Sequence, residues 1–399
     1  MPKETTRKSQ RNPAKGYKKE EDFRHETKMN LKIPLLSGNT PHSPEIKPNT
    51  IIGYPINKEE IESLKEIVFG DHLRLIPAFW KNKGYEINRH CTFGFSQKRN
   101  GPCTVLSAIN AYLFKHLLFS EFYQFNIVEV IDTIPKLNPT SDQLYKAFAY
   151  ALTNILWNCA VNSKIVKLCM FNDHSTHIEK VDGLTEFMEI YEFKRHDKLT
   201  DMTDLVDFIE LNLDTFKGNT VKTSSHAVLA TLYSCVLSRG VNDILMDMQN
   251  NGPLIDIDKD AYGTQCVVNL MLTGRAIIDT LDEKEASALG LQGMNKQSDI
   301  GFLTPIEGMV GKCLMEPKYP IWILHYESHY TVMFKPLLDN NTYKYYDMLG
   351  LKESCWDFIL NEGDYMPLYE ALNNDAINSD TVQLCCLTKW PFFLVEYLE

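Results

Sequence analysis

No run of about 18 consecutive apolar residues occurs in this 399-residue chain, which excludes a membrane-spanning helix. The first thirty residues are polar and lysine-rich and lack the apolar centre of a secretory signal, so a soluble, cytoplasmic protein with access to the nucleus is expected. No two cysteines stand in the C-x-x-C spacing of zinc and dithiol motifs. The nearest ligand-like spacing, His174 and His177, has no cysteine close by, so no structural metal is expected. Basic residues are in deficit, 41 Lys and Arg against 52 Asp and Glu, for a net charge of −11. Residues 1–50 carry 11 basic and 6 acidic side chains, so they hold +5 and the remainder holds −16. So acidic a body disfavours nucleic-acid backbone and suits a partner with a basic face.

The chain has ample material for a core, with 44% hydrophobic residues and 23% charged. Residues 1–50 are the exception. Rich in Pro, Lys, Ser and Asn and nearly free of aromatics, they form a disordered basic arm on compositional grounds. Residues 51–399 show no linker or repeat and are expected to form one domain. Most of the ten cysteines sit in apolar runs, as Cys235 does in Leu232-Tyr233-Ser234-Cys235-Val236-Leu237, and are expected to be buried free thiols of a reducing compartment.

Helix signals open the domain and strand signals close it. Asn57 and Glu60 form a capping pair ahead of Ile61, Leu64, Ile67 and Val68, with Gly70 as the stop. Further helices are predicted over 102–118, 141–157, 203–216, 264–273 (closed by Gly274) and 282–288. Strands are predicted over 319–325, 330–334 and 342–348, with a turn at Asp339-Asn340-Asn341. A helix-rich half followed by an antiparallel sheet is an α+β fold.

One segment carries the makings of chemistry. In Gln97-Lys98-Arg99-Asn100-Gly101-Pro102-Cys103, the Asn-Gly pair turns the chain and Pro102 suits the first helical position, which puts Cys103 in the first turn of a helix. Unsatisfied N–H groups and the positive end of the helix dipole favour a thiolate there. A thiolate nucleophile needs a base, and His329 stands at the start of a predicted strand. A helix-start Cys followed far downstream by a strand His is the chain order of papain-like peptidases. Gln97, six residues before Cys103, holds the offset of their oxyanion-hole glutamine, and Asp347, after the strand expected to pair with that of His329, is placed to orient the imidazole.

The Cys103 segment resembles the nucleophile motif of the MINDY deubiquitinases, in particular the branch formed by the third and fourth members. The likeness continues in order through Leu64–Gly70 with Trp80, Tyr262–Gln265, Asn269–Ala276, Ser298–Leu303, Pro317–Trp322, Glu327–Tyr330, Tyr345–Asp347 and Leu387–Trp390, and so covers about 57–390. Two departures stand out. Lys98-Arg99-Asn100-Gly101 replaces the usual glycine pair, so Asn100 is expected to supply any positive φ, and His325 stands where relatives tend to have a small or cysteine residue. In a strand, residues 325 and 329 point to the same face, so His325, a structural residue first, is also placed to crowd or electrostatically tune the base.

The resemblance implies a papain-like cysteine peptidase of MINDY type. Its catalytic cysteine falls on Cys103, its histidine on His329 and its oxyanion glutamine on Gln97. It implies hydrolysis of isopeptide bonds in polyubiquitin, with preference for the lysine linkage that signals proteasomal degradation. No cofactor is expected, the expected partners are polyubiquitin chains and ubiquitinated proteins, with neither nucleic acid nor membrane, and the protein itself is expected to be a monomer. Two rivals are a non-catalytic ubiquitin-chain binder on the same fold and a papain-type peptidase or acyltransferase with another substrate.

Overall fold

The computed structural model describes residues 51–398 apart from 82, 98–100, 172–183, 218–224, 250–251, 307–309, 351–353, 375–376 and 378–379. The expected arm, the His174/His177 pair and Lys98-Arg99-Asn100 lie outside the described residues.

Asn57 opens α1 (Lys58–Phe69) as expected: its side chain accepts from the Glu60 N–H at 2.9 Å, and the Glu60 carboxylate accepts from the Asn57 N–H at 3.2 Å. Gly70 closes it in the left-handed conformation. Asn57→Ala removes half of this reciprocal pair and is expected to lower stability by about 1 kcal/mol. A denaturant midpoint that does not move would show that the cap contributes nothing.

The second helix, α2 (Cys103–Phe119), is buried on every side from Cys103 to Leu117. Such a helix needs protein all round it. It packs against α3 (Ser141–Cys159) on one flank and the late strands on another. The helix-rich half also holds β1 (Ile165–Phe171) and β2 (Met188–Lys194), an antiparallel pair that corrects the simple division into helices and then sheet. Beside β1 runs α4 (Ala227–Arg239), buried all round and so without the exposed polar face that announces a surface helix. Its Ser234 and Ser238 hydroxyls accept the N–H groups of Cys169 and Lys167 at 2.8 and 2.9 Å.

The predicted 203–216 helix divides into Thr203–Leu211 and Leu213–Phe216. At the break the Asn212 side chain donates to the Phe208 carbonyl at 2.8 Å, competing with the helical ladder. The next of the predicted helices, α5 (Gln265–Thr273), ends at Gly274 as expected.

The late strands form one six-stranded sheet from β3 (Gly301–Leu303), β4 (Ile321–Tyr326), β5 (His329–Phe334), β6 (Thr342–Tyr346), β7 (Cys355–Glu362) and, after helix α6 (Thr381–Lys389), β8 (Phe393–Leu398). Its order is β8-β7-β6-β5-β4-β3. All neighbours run antiparallel except β3 and β4, which are parallel and joined by a crossover through a short helix at Lys312–Met315. Both faces are covered. Ile321, Ile323, Val332 and Phe334 point into the main core, whereas Trp322, Leu324, Met333 and Tyr345 meet Val382, Cys385 and Cys386 of α6. Double burial explains why β4 and β5 read as unbroken apolar runs. The fold is α+β, and no described helix is long and apolar enough to cross a membrane.

The cysteine expectation needs correcting at two positions. Cys91 and Cys355 are joined as a disulfide, while Cys159, Cys169, Cys235, Cys266, Cys385 and Cys386 are buried free thiols. The two exceptions sit in polar sequence, Arg89-His90-Cys91-Thr92 and Glu353-Ser354-Cys355, where no apolar run favours an isolated thiol.

Candidate active site

Cys103 is the first residue of α2, and Pro102, expected at the first helical position, is instead the capping residue one step earlier. Proline offers no side chain to accept the orphan N–H groups of the first turn, so that end of the helix keeps its affinity for an anion. The approach loop is constrained. Gly101 has φ +127°, and a Cβ there would lie 2.8 Å from the Phe79 Cβ. Gly101 thus carries a positive φ in this turn, while Asn100, where one was expected, lies outside the described residues. Gly101→Ala forces strain of about 1–3 kcal/mol into this turn and is expected to lower the melting temperature accordingly. An unshifted melting temperature would show that the loop does not depend on that conformation.

Across from Cys103, the β4–β5 hairpin turns at Glu327, with φ +55°, and Ser328, whose carbonyl oxygen lies 4.0 Å from the Cys103 Sγ. His329 follows directly. Its Nε2 is 2.9 Å from the Asp347 Oδ1, and because a carboxylate only accepts, Nε2 carries the proton and Nδ1 is the nitrogen left for the thiol. Burial disfavours the charged imidazole, but hydrogen bonding to Asp347 and to Cys103, with their charges, outweighs it and holds the pKa at about 10. Asp347 is itself fixed: its N–H donates to the Ser354 carbonyl at 2.7 Å, and its Oδ1 accepts from Leu349 N–H at 2.9 Å. These bonds end β6 at Tyr346, two residues before the predicted limit of the strand.

His325 does not share a face with His329. The hairpin turn lies between them, and His325 is the cross-strand partner of Tyr330. Partners share a face and neighbours along a strand alternate, so His325 and His329 point to opposite sides. The His325 ring stacks on Tyr330 with centroids 4.1 Å apart, and burial pushes its pKa down to about 4. A backbone hydrogen bond at Glu327 opposes that shift and the His329 charge adds to it. His325 is a neutral packing residue at physiological pH.

Gln97 is buried and tied to the same corner, its N–H donating to the Met348 carbonyl at 2.5 Å. The segment leading to it is clamped to the helix by Asn110, which accepts from Phe95 N–H at 2.8 Å and donates to the Phe95 and Leu106 carbonyls at 3.1 and 2.9 Å. The Tyr346 hydroxyl donates to the same Phe95 carbonyl at 2.9 Å. Neither Asn110 nor Tyr346 figured among the expected site residues. A signal for the first existed: a lone amide inside an apolar helix must find partners when buried. The structure thus brings Cys103, His329 and Asp347 together and joins the Gln97 backbone to the residue after Asp347.

The description "Deubiquitinating enzyme MINDY-3/4, conserved domain" belongs to the family model that matches residues 65–399. The "Probable ubiquitin carboxyl-terminal hydrolase MINDY-4" of Xenopus tropicalis is 27% identical over 373 residues, 87% of this chain and 46% of that protein. The mouse protein of the same name is 28% identical over 364 residues, 85% and 46% respectively. The "Ubiquitin carboxyl-terminal hydrolase MINDY-3 homolog" of Drosophila melanogaster is 25% identical over 323 residues, 69% and 56%. This chain therefore spans about half the length of the curated relatives it matches. No solved structure matches it. With a family model covering the domain from the opening helix to the last residue, the chain belongs to the MINDY-3/4 family of deubiquitinating enzymes.

Proposed function

We propose that this chain is a cysteine-type deubiquitinase that hydrolyses isopeptide bonds in polyubiquitin, with preference for the lysine linkage that signals proteasomal degradation. The observation that carries the reading is the Cys103–His329–Asp347 arrangement: a thiol at an uncapped helix start, beside an imidazole that a carboxylate holds at 2.9 Å. His329 takes the Cys103 proton through Nδ1, and the thiolate attacks the carbonyl of ubiquitin's C-terminal glycine. Backbone N–H groups of the first turn of α2, with the Gln97 side chain, hold the oxyanion. His329 returns the proton to the leaving lysine amine, and water hydrolyses the thioester.

Cys103 is 1% exposed, so the Ser328 turn or the Gly101 loop shifts before a substrate carbonyl reaches the sulfur. The −16 charge beyond residue 50 supports docking of a ubiquitin surface that presents basic residues. The reading takes polyubiquitin and ubiquitinated proteins as partners of a cytoplasmic monomer.

The test is a panel of linkage-defined ubiquitin chains of increasing length, run beside a ubiquitin carrying a C-terminal electrophile. Shortening of chains and a covalent adduct are expected. Binding of chains without adduct or shortening would instead make the protein a non-catalytic chain reader, and turnover of unrelated peptides alone would make it a papain-type peptidase with another substrate.

A further inference from the structure

The Cys91–Cys355 disulfide joins the loop that leads to Gln97 to β7, the strand paired with the one that ends just before Asp347, and no step of the proposed hydrolysis uses it. Cys91 lies in the loop between Asn88 and Gln97, where the Asn88 side-chain oxygen accepts from the N–H groups of His90 and Cys91 at 2.9 and 3.2 Å. Cys355 opens β7 directly opposite Tyr346, the residue before Asp347. Single hydrogen bonds surround this link: Gln97 N–H to the Met348 carbonyl, Tyr346 hydroxyl to the Phe95 carbonyl, and Asp347 N–H to the Ser354 carbonyl. The disulfide closes a span of 264 residues and so adds the one bond at this corner that water and thermal motion do not exchange. Its placement is therefore specific to the part of the fold that sets the position of the Asp347 carboxylate.

We propose that Cys91 and Cys355 are positioning residues, whose disulfide holds the Asp347 turn against the Gln97 loop so that oxidised and reduced forms differ in how firmly Asp347 holds His329. The proposal deepens the deubiquitinase reading and rests on it only for the effect on chain cleavage. Interconversion needs a small thiol–disulfide couple such as glutathione. The half-buried Cys355 is the sulfur such a molecule reaches first, since Cys91 is only 6% exposed. The Cys355 thiolate attacks one sulfur of glutathione disulfide and expels a glutathione thiolate. The Cys91 thiol then attacks the mixed disulfide, forms the Cys91–Cys355 bond and releases the second glutathione. The two protein thiols lose two electrons and two protons, and one glutathione disulfide becomes two glutathione thiols.

The experiment equilibrates the wild-type chain in glutathione buffers of rising oxidised fraction and uses molecules that intact mass shows to be free of glutathione adducts. Three readouts follow. Peptide mapping without reduction reports the disulfide; the pH dependence of Cys103 alkylation by chloroacetamide, read on the Cys103 peptide, reports the Cys103–His329 pair; and ubiquitin-chain cleavage reports turnover. The linked peptide is expected to accumulate. In the oxidised form the alkaline inflection of alkylation is expected about one pH unit higher. Cleavage is expected to be about tenfold faster, short of the roughly 100-fold that a 1 Å misplacement costs. Cys91→Ser and Cys355→Ser are expected to behave as the reduced wild type in every buffer, and reversal of the wild-type change on re-oxidation makes the result independent of whether those variants fold. Free thiols at both positions in the most oxidising buffer would overturn the proposal. So would an alkylation profile identical in both redox forms, which would leave the disulfide as a staple of overall stability. A redox shift in alkylation with no chain cleaved in either form would keep the strap and sink the deubiquitinase reading.

Discussion

Cys103→Ala is expected to leave no adduct with a ubiquitin C-terminal electrophile and no measurable chain cleavage, and His329→Ala to lower kcat/KM by on the order of 1,000-fold or more. The first expectation follows from the company Cys103 keeps. Burial pushes the thiols of Cys169 up to about 12 and Cys266 to about 11, and burial with the Asp282 carboxylate does the same for Cys313. Cys385 and Cys386 are raised too, again by burial, and present no thiolate at neutral pH. None of these lies at a helix start facing a histidine. The second follows from when His329 acts. Its proton moves in the transition states of acylation and amine departure, so its loss should fall on kcat and leave KM nearly unchanged. An adduct that survives Cys103→Ala would move the nucleophile elsewhere. A His329→Ala variant with intact kcat and raised KM would reduce the imidazole to a binding group.

What the residues disclosed in advance, and what they hid, divides along physical lines. Local rules were legible. The Asn57–Glu60 capping box, the stops at Gly70 and Gly274, the helix start at Cys103 and the turn before Thr342 all depend on side chains acting within a few residues, and each stands within a residue or two of its expected place. Elements whose identity depends on distant partners were not. The wholly buried α4 has no charged, solvent-facing stripe to betray its period, and β7 and β8 become strands because β6 offers an edge to pair with. The same distinction holds at the site. Cys103, His329 and Asp347 were nameable from residue type and order, but the face of His325 turned on where the hairpin reversed, and a positive φ at Glu327 decided that. The Cys91–Cys355 pairing was the least accessible of all, because two cysteines 264 residues apart carry no spacing signal.

Asp347→Ala is expected to lower kcat/KM by on the order of 100-fold, less than the roughly 10,000-fold that the triad aspartate is worth to a serine hydrolase. The difference is expected because a thiol gives up its proton more readily than a serine hydroxyl, so the carboxylate is needed to hold the ring more than to drive the proton transfer. Asp347→Asn separates the two roles. The amide oxygen can still accept the Nε2–H that Asp347 accepts at 2.9 Å, so most of the neutral-pH rate should survive, but the negative charge is gone. The pH dependence then carries the sign. His329 in the fold is raised to about 10 from an ordinary value near 6.5, with burial opposing and Asp347 and Cys103 prevailing. The stability it contributes is fully present below about pH 6.5 and is lost as pH climbs through about 10. Wild-type melting temperature should therefore fall across that window, and both Asp347 variants, with less elevation to lose, should fall less. The alkaline limb of kcat/KM should move with it, from near pH 10 in the wild type toward neutrality in Asp347→Asn. Parallel melting curves and an unmoved limb would mean that the 2.9 Å contact orients nothing and that His329 draws its proton affinity from Cys103 alone.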